Sequence, residues 1–254
     1  MPKLPKEHQS IDLSDYGRPV ARLIANGLNN TSVTAIHVTI WFIISGLLAC
    51  FFILKGYYWL AAFFLIFKSI LDAADGELAR VKQHPSYTGR YLDSIADIFL
   101  NALFVLSIWW ISETNIWVTI AAFLGIQLQG TLYNYYYVIL RNRLDGDKTS
   151  RVFETKTPVA FEGETQKNVN ILFGLYKLLY GPFDRTVYAL DKQAYRGKLS
   201  PNWLMTSVST FGLGFQLLIM AVMLVTGLKN FILPFFLAYT LMILVFVGFR
   251  KTFY

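Results

Sequence analysis

The sequence predicts an all-α polytopic membrane protein, with six transmembrane helices, an N-terminal amphipathic surface helix and both termini cytoplasmic. Three observations carry that prediction. Of 254 residues, 55% are hydrophobic and 17% aromatic while only 15% are charged, and the mean hydropathy is +0.44; an ordinary soluble domain is about 25% charged. The apolar residues gather into stretches of roughly 15 to 25, the length of helix that crosses a hydrocarbon layer of ~30 Å. The basic residues, finally, crowd onto one side of those stretches. A soluble α/β enzyme, a disulfide scaffold and a disordered chain are all excluded. Cys50 is the single cysteine and sits in an apolar stretch, so no intramolecular disulfide forms. The net charge of +7 reports topology in such a chain rather than nucleic-acid binding.

Residues 1–34 form a cytoplasmic N-terminal segment. Its opening is polar for too long to be a cleavable signal peptide. From about Asp15 to Leu28, Tyr16, Val20, Leu23, Ile24 and Leu28 recur at helical spacing with Arg18 and Arg22 between them, and Pro19 is tolerable in a first turn. Residues 35–140 hold four spans: Ala35 to Leu54, Tyr57 to Leu71, Tyr91 to Ile111 and Ile116 to Leu140. Residues 141–200 form a cytoplasmic connector, too long for a passive one. Within it Val169, Leu172, Phe173, Tyr176, Leu179 and Tyr180 mark a second amphipathic helix over Lys167 to Tyr180. Both surface helices are open to two readings, as helices lying in the headgroup zone or as lids packed on the bundle ends. Residues 201–254 hold the last two spans, Trp203 to Val225 and Phe231 to Gly248, and a short tail, with Ser200-Pro201 as cap and first turn. Short turns at Lys55-Gly56, Ser112 to Asn115 and Gly227 to Asn230 force antiparallel hairpins.

Placing the N-terminus in the cytoplasm puts twenty of the 23 Lys and Arg residues on inner segments, eleven of them between Arg141 and Lys198. The outer turns carry only Lys55 and Lys229, and Lys68 lies within the second span. That asymmetry follows the positive-inside rule.

The chemistry lies where the second span leaves the membrane and the third enters it. Asp72 and Asp75 are three apart, Asp93 and Asp97 four apart, so each pair shares a helix face. A hairpin brings four carboxylates together at the edge of the hydrocarbon, where unpaired they cost several kcal/mol. Lys68 and Arg80 neutralise two at most; two divalent cations neutralise all four, and hard oxygen ligands suit Mg²⁺ or Mn²⁺. A two-metal clamp holds a diphosphate and stabilises the leaving oxygen. Gly76 and Ala79 keep that helix stripe small for a bulky ligand, and Arg80 ends it with a guanidinium suited to phosphate.

The run Asp72-x2-Asp75-Gly76-x2-Ala79-Arg80-x8-Gly89-x3-Asp93-x3-Asp97 resembles the complete signature of the CDP-alcohol phosphotransferases, also called CDP-alcohol phosphatidyltransferases. All eight fixed positions are filled across 26 residues, and the six spans with their N-terminal surface helix are similar to the family's architecture. The resemblance implies transfer of a phospho-alcohol from a CDP-linked donor to a hydroxyl, with release of CMP. It implies that Asp72, Asp75 and Asp93 ligate metal and that Asp97 both ligates metal and serves as general base. It further implies that Gly76, Ala79, Arg80 and Gly89 line the CDP site, with Ser86 a candidate for phosphate contact. One departure stands before the first span, where the family's Pro-Asn-x-Val/Ile-Thr is replaced by Asn30-Thr31-Ser32-Val33-Thr34. Thr31 and Thr34 are nucleotide-contact candidates there, or helix caps. The family is often dimeric, which implies a homodimer.

Lys68 is expected to balance Asp72, and Asn101 either to orient Asp97 or to bond between helices. The fourth span carries Gln127, Gln129, Thr131 and Asn134 before Arg141; Gln127, Asn134 and Arg141 are candidates for an acceptor pocket, with interhelical hydrogen bonds the alternative. His8, His37 and His84 lack ligand spacing, so no zinc site is expected. The favoured donor is CDP-diacylglycerol and the acceptor a small alcohol or polyol, phosphorylated if the basic connector is a guide. The alternative runs the lipid the other way, from CDP-choline or CDP-ethanolamine to diacylglycerol. An ion transporter explains the acids but not the Gly76, Ala79, Arg80 and Gly89 pattern, and places acids nearer the midplane.

Overall fold

The structure, a computed structural model, describes residues 10–144, 154–197 and 200–253. Lys3, Lys6, Lys148, Arg151 and Lys198, on which the orientation partly rests, lie outside the described residues, as does His8. Among the described residues every regular element is helical. A 3-10 turn at Leu13–Asp15 leads into α1 (Arg18–Leu28). Two hairpins follow, α2 (Ala35–Leu54) with α3 (Tyr58–Val81), then α4 (Tyr87–Ile111) with α5 (Ile116–Arg143). Beyond them lie α6 (Gln166–Leu190), α7 (Asn202–Val208), α8 (Leu213–Val225), α9 (Ile232–Tyr239) and α10 (Met242–Phe253).

Each boundary has a local cause. Thr34 caps α2, its amide donating to His37 Nδ1 at 3.0 Å in a capping box. Gly56, at φ +78, supplies the left-handed residue that turns α2 into α3. Ser86 caps α4 by accepting from the Gly89 amide at 2.7 Å, and Asn115 caps α5 by accepting from the Trp117 amide at 2.8 Å.

α2, α4, α5 and the Lys229–Phe253 stretch containing α9 and α10 are long and apolar enough to cross a membrane. The stretch from Asn202 to Val225 counts as a fifth if its two parts, bent by 54°, form one broken span. The expected second span differs: α3 is 24 residues long, but Lys68, Asp72 and Asp75 interrupt its apolar character. The break between α9 and α10 is covered by α5, whose Gln129 side-chain amide donates to Phe236 O at 3.2 Å and to Thr240 Oγ1 at 3.0 Å. Gln216 of α8 donates to Gln129 Oε1 at 3.0 Å. Gln129 is therefore an interhelical tie.

Both surface helices turn their small or aromatic faces to the bundle. α1 buries Ala21 and Ala25 and packs on α3, where a Cβ at Gly17 would lie 2.8 Å from Ile70 Cγ1. α6 buries Val169, Phe173 and Tyr176 and packs on α4 and α5, leaving Ile171, Leu175 and Leu178 exposed. Its C-terminal end is pinned by Asp191, which pairs with Arg250 of α10 and accepts from Tyr136 OH at 2.7 Å, all buried.

Candidate metal centre and active site

α3 and α4 are joined by only five residues, 82–86, so their facing ends present the motif acids to one another. Carboxylate oxygens of Asp72, Asp75 and Asp93 lie within 4.8 Å of one another. Asp93 Oδ1 is buried and has no hydrogen-bond partner among the described residues. Hard oxygens crowded together, with one lone pair set unsatisfied, fit a divalent cation better than an aqueous or purely hydrogen-bonded arrangement.

Asp97, the fourth acid, is tied to that trio through Lys68. The Lys68 ammonium donates to Asp72 Oδ2 at 2.6 Å and also pairs with Asp97 Oδ1. Lys68 is fully buried and lies 4.5 Å from the centre of the Phe42 ring. The expected counter-ion of Asp72 therefore bridges two of the four acids. Thr39, one turn into α2, donates to Asp75 Oδ2 at 2.8 Å from a buried position. Nothing in the local sequence marks Thr39, because its partner is 36 positions away.

All four aspartates open onto one cavity of about 400 Å³. Gly76, Arg80 and Asn101 line it, and Arg18 of α1 joins them. A Cβ at Gly76 would meet only the Arg80 guanidinium, at 3.7 Å, so that face of α3 stays open to a ligand. Arg80 and Arg18 both pair with Glu77, Arg80 at 3.1 Å. Burial works against the Glu77 carboxylate, but Arg80 and Arg18 outweigh it and hold its pKa below the usual range. The carboxylate fixes two guanidiniums at the rim of an otherwise acidic cavity.

The connector clamps α4, the helix that carries Asp93 and Asp97, at successive levels. Glu164 accepts from the Ser86 hydroxyl at 2.7 Å, the Thr88 amide at 2.7 Å and the Tyr87 amide at 3.2 Å. Its negative charge thus sits at the helix N-terminus, where the dipole favours it. Arg90 pairs with Glu154 at 2.6 Å, and Tyr180 OH donates to Ser94 O at 2.8 Å.

The remaining expected residues fall in two groups. Gln127 and Asn134 line the aspartate cavity from α5. Arg141 is buried with its guanidinium 5.7 Å from the Tyr137 ring centre and lines neither this cavity nor the smaller one beside it. Thr31 and Thr34 are exposed and spent on the turn before α2, where Thr31 donates to Leu28 O at 2.8 Å and Thr34 makes the capping box. Ser86 and Gly89 bond to each other at the α4 cap. Ala79 is half-buried on α3, one turn beyond Asp75.

Among curated proteins no significant relative of the chain is found. The sequence profile of the CDP-alcohol phosphatidyltransferases matches residues 22–160, more than half of the chain and all of the aspartate motif.

Proposed function

Because the chain belongs to the CDP-alcohol phosphatidyltransferase family, a family of membrane-bound transferases of substituted phosphate groups in phospholipid biosynthesis, we infer that it moves a phosphatidyl group from CDP-diacylglycerol to the hydroxyl of a small alcohol. The observation that carries this reading is the trio Asp72, Asp75 and Asp93, with oxygens within 4.8 Å, in a cavity that also presents Arg18 and Arg80. Acids for metal and guanidiniums for phosphate, side by side, suit a diphosphate donor.

Asp72, Asp75, Asp93 and Asp97 would hold two divalent ions, Mg²⁺ or Mn²⁺, which when bound neutralise charge on the diphosphate and on the leaving oxygen. Arg80 and Arg18 orient the phosphates beside the acids. Gly76 lets the nucleotide approach the α3 backbone. Asp97 accepts the proton of the acceptor hydroxyl as that oxygen attacks the phosphorus of the transferred group. The bond from this phosphorus to the CMP oxygen breaks, and CMP leaves. Lys68, paired with Asp97, holds the base in place. Gln127 and Asn134, on the α5 side of the cavity, face the acceptor.

With six spans and both termini cytoplasmic, this site would lie at the cytoplasmic face. In that arrangement Trp59, Trp110 and Trp117, all more than 70% exposed, lie beside the outer turns at the far ends of α3, α4 and α5, as interfacial aromatics do.

Purified protein with Mg²⁺ is expected to release CMP from CDP-diacylglycerol. Release only from CDP-choline or CDP-ethanolamine, with diacylglycerol as acceptor, overturns the donor assignment. Asp97→Asn should abolish transfer while the variant still unfolds at the wild-type temperature; retained turnover removes Asp97 as the base.

A further inference from the structure

A second cavity, of about 320 Å³, adjoins the aspartate cavity, and the two share Thr131, Asn134 and Asp184. Its outer wall is α6, which lies beyond the residues matched by the family profile. Five charged side chains line it. Arg90 and Glu154 pair with each other at 2.6 Å and offset one another. Asp184 is half-buried at the junction of the two cavities, and no hydrogen bond or ion pair engages it among the described residues. Burial and the nearby Glu154 push its carboxyl up to about 6, against the pull of Arg90. Lys177 and Arg185 line only the second cavity and are exposed. Tyr135, Tyr176 and Tyr188 also line it.

The arrangement is an anion at the inner junction and two cations further out. A neutral polyol leaves all three charges unused. A phosphorylated alcohol satisfies Lys177 and Arg185 but gives Asp184 no partner, and a simple amino alcohol does the reverse. We propose that the second cavity holds the acceptor and selects a zwitterionic hydroxy amino acid. Its ammonium meets Asp184, its carboxylate meets Arg185 and Lys177, and its hydroxyl reaches through the shared junction toward Asp97. The inference rests on the donor reading above and names the acceptor class that reading leaves open.

The test gives purified full-length protein Mg²⁺, CDP-diacylglycerol and one of L-serine, ethanolamine, 3-hydroxypropionate, glycerol 3-phosphate or inositol, and follows CMP. L-serine is expected to exceed every other acceptor in kcat/KM by at least about tenfold, the scale of one lost charged contact. Asp184→Asn should raise KM for L-serine about tenfold or more with little change in kcat. The double variant Lys177→Gln, Arg185→Gln should raise KM for L-serine but not for ethanolamine. Preference for glycerol 3-phosphate or inositol, or an unchanged KM for L-serine in Asp184→Asn, overturns the proposal. Calorimetric titration of L-serine into protein with CMP and Mg²⁺ separates the two readings. Binding that Asp184→Asn abolishes, without turnover of CDP-diacylglycerol, sinks the donor and keeps the cavity; absence of binding to the wild type sinks the cavity.

Discussion

At Asp93, a buried carboxylate oxygen without a partner sits in a trio of acids whose oxygens approach within 4.8 Å. Such an atom carries a desolvation cost of about 1–3 kcal/mol or more unless a cation reaches it. Lys68 supplies one positive charge to this cluster by contact, and it is directed to Asp72 and Asp97. Removing it should therefore separate two effects. In Lys68→Met the half-saturating Mg²⁺ concentration should fall, because the acids compete with no resident ammonium, while kcat should fall about tenfold as Asp97 loses its orientation. An Mg²⁺ titration of CMP release measures both; a rise in the Mg²⁺ requirement contradicts the account. The four aspartates were legible because i, i+3 and i, i+4 spacing is local. Thr39 and Arg18 were not, since each meets its acid from a different helix.

The connector acts on the site through α4. Glu164 collects the Ser86 hydroxyl and the Tyr87 and Thr88 amides, which are among the donors a helix N-terminus leaves unsatisfied. Burial pushes its carboxyl up, yet these bonds and the Phe161 amide outweigh it, and its pKa lies below the usual 4.5. A depressed pKa means the contribution to stability is complete above that usual value and is lost as pH falls through the folded one. Glu164→Ala should cost about 1 kcal/mol, the scale of a lost helix cap, and should lower kcat by loosening Asp93 and Asp97; Glu164→Gln should retain part of both. Thermal unfolding from pH 6 to pH 3.5, with CMP release at pH 7, checks the pair, and the acid-side loss should be smaller in Glu164→Gln than in the wild type. The helix over Lys167 to Tyr180 was legible from its stripe. Its continuation through Pro182 to Leu190 was not: Asp191, which ends it, is fixed by Arg250 from the far end of the chain.

Over the whole molecule, α2 to α5 and the C-terminal helices form a bundle whose aspartate end faces away from the exposed Trp59, Trp110 and Trp117. The basic residues favour a cytoplasmic aspartate end, whereas the aromatics mark a membrane interface and, being enriched at both, do not choose between the two orientations. Cys50 is buried and the only cysteine, so a Cys50→Ser background is clean for labelling. In intact cells Lys55→Cys and Lys229→Cys should react with an impermeant maleimide, and Gln83→Cys and Thr252→Cys should react only after permeabilisation. Labelling of Gln83→Cys from outside contradicts the cytoplasmic site.

From sequence alone came the helical membrane class, the hairpins and the acid motif, since hydrophobic length, charge asymmetry and helical spacing are properties of contiguous residues. Tertiary structure decided the rest: that Lys68 bridges Asp72 and Asp97, that Glu77 gathers Arg18 and Arg80, that Gln129 ties helices while Gln127 and Asn134 face the cavity, and that α6 walls a second cavity with Asp184 at its junction. These depend on which faces meet when helices far apart in the chain pack together, and no short-range pattern encodes that.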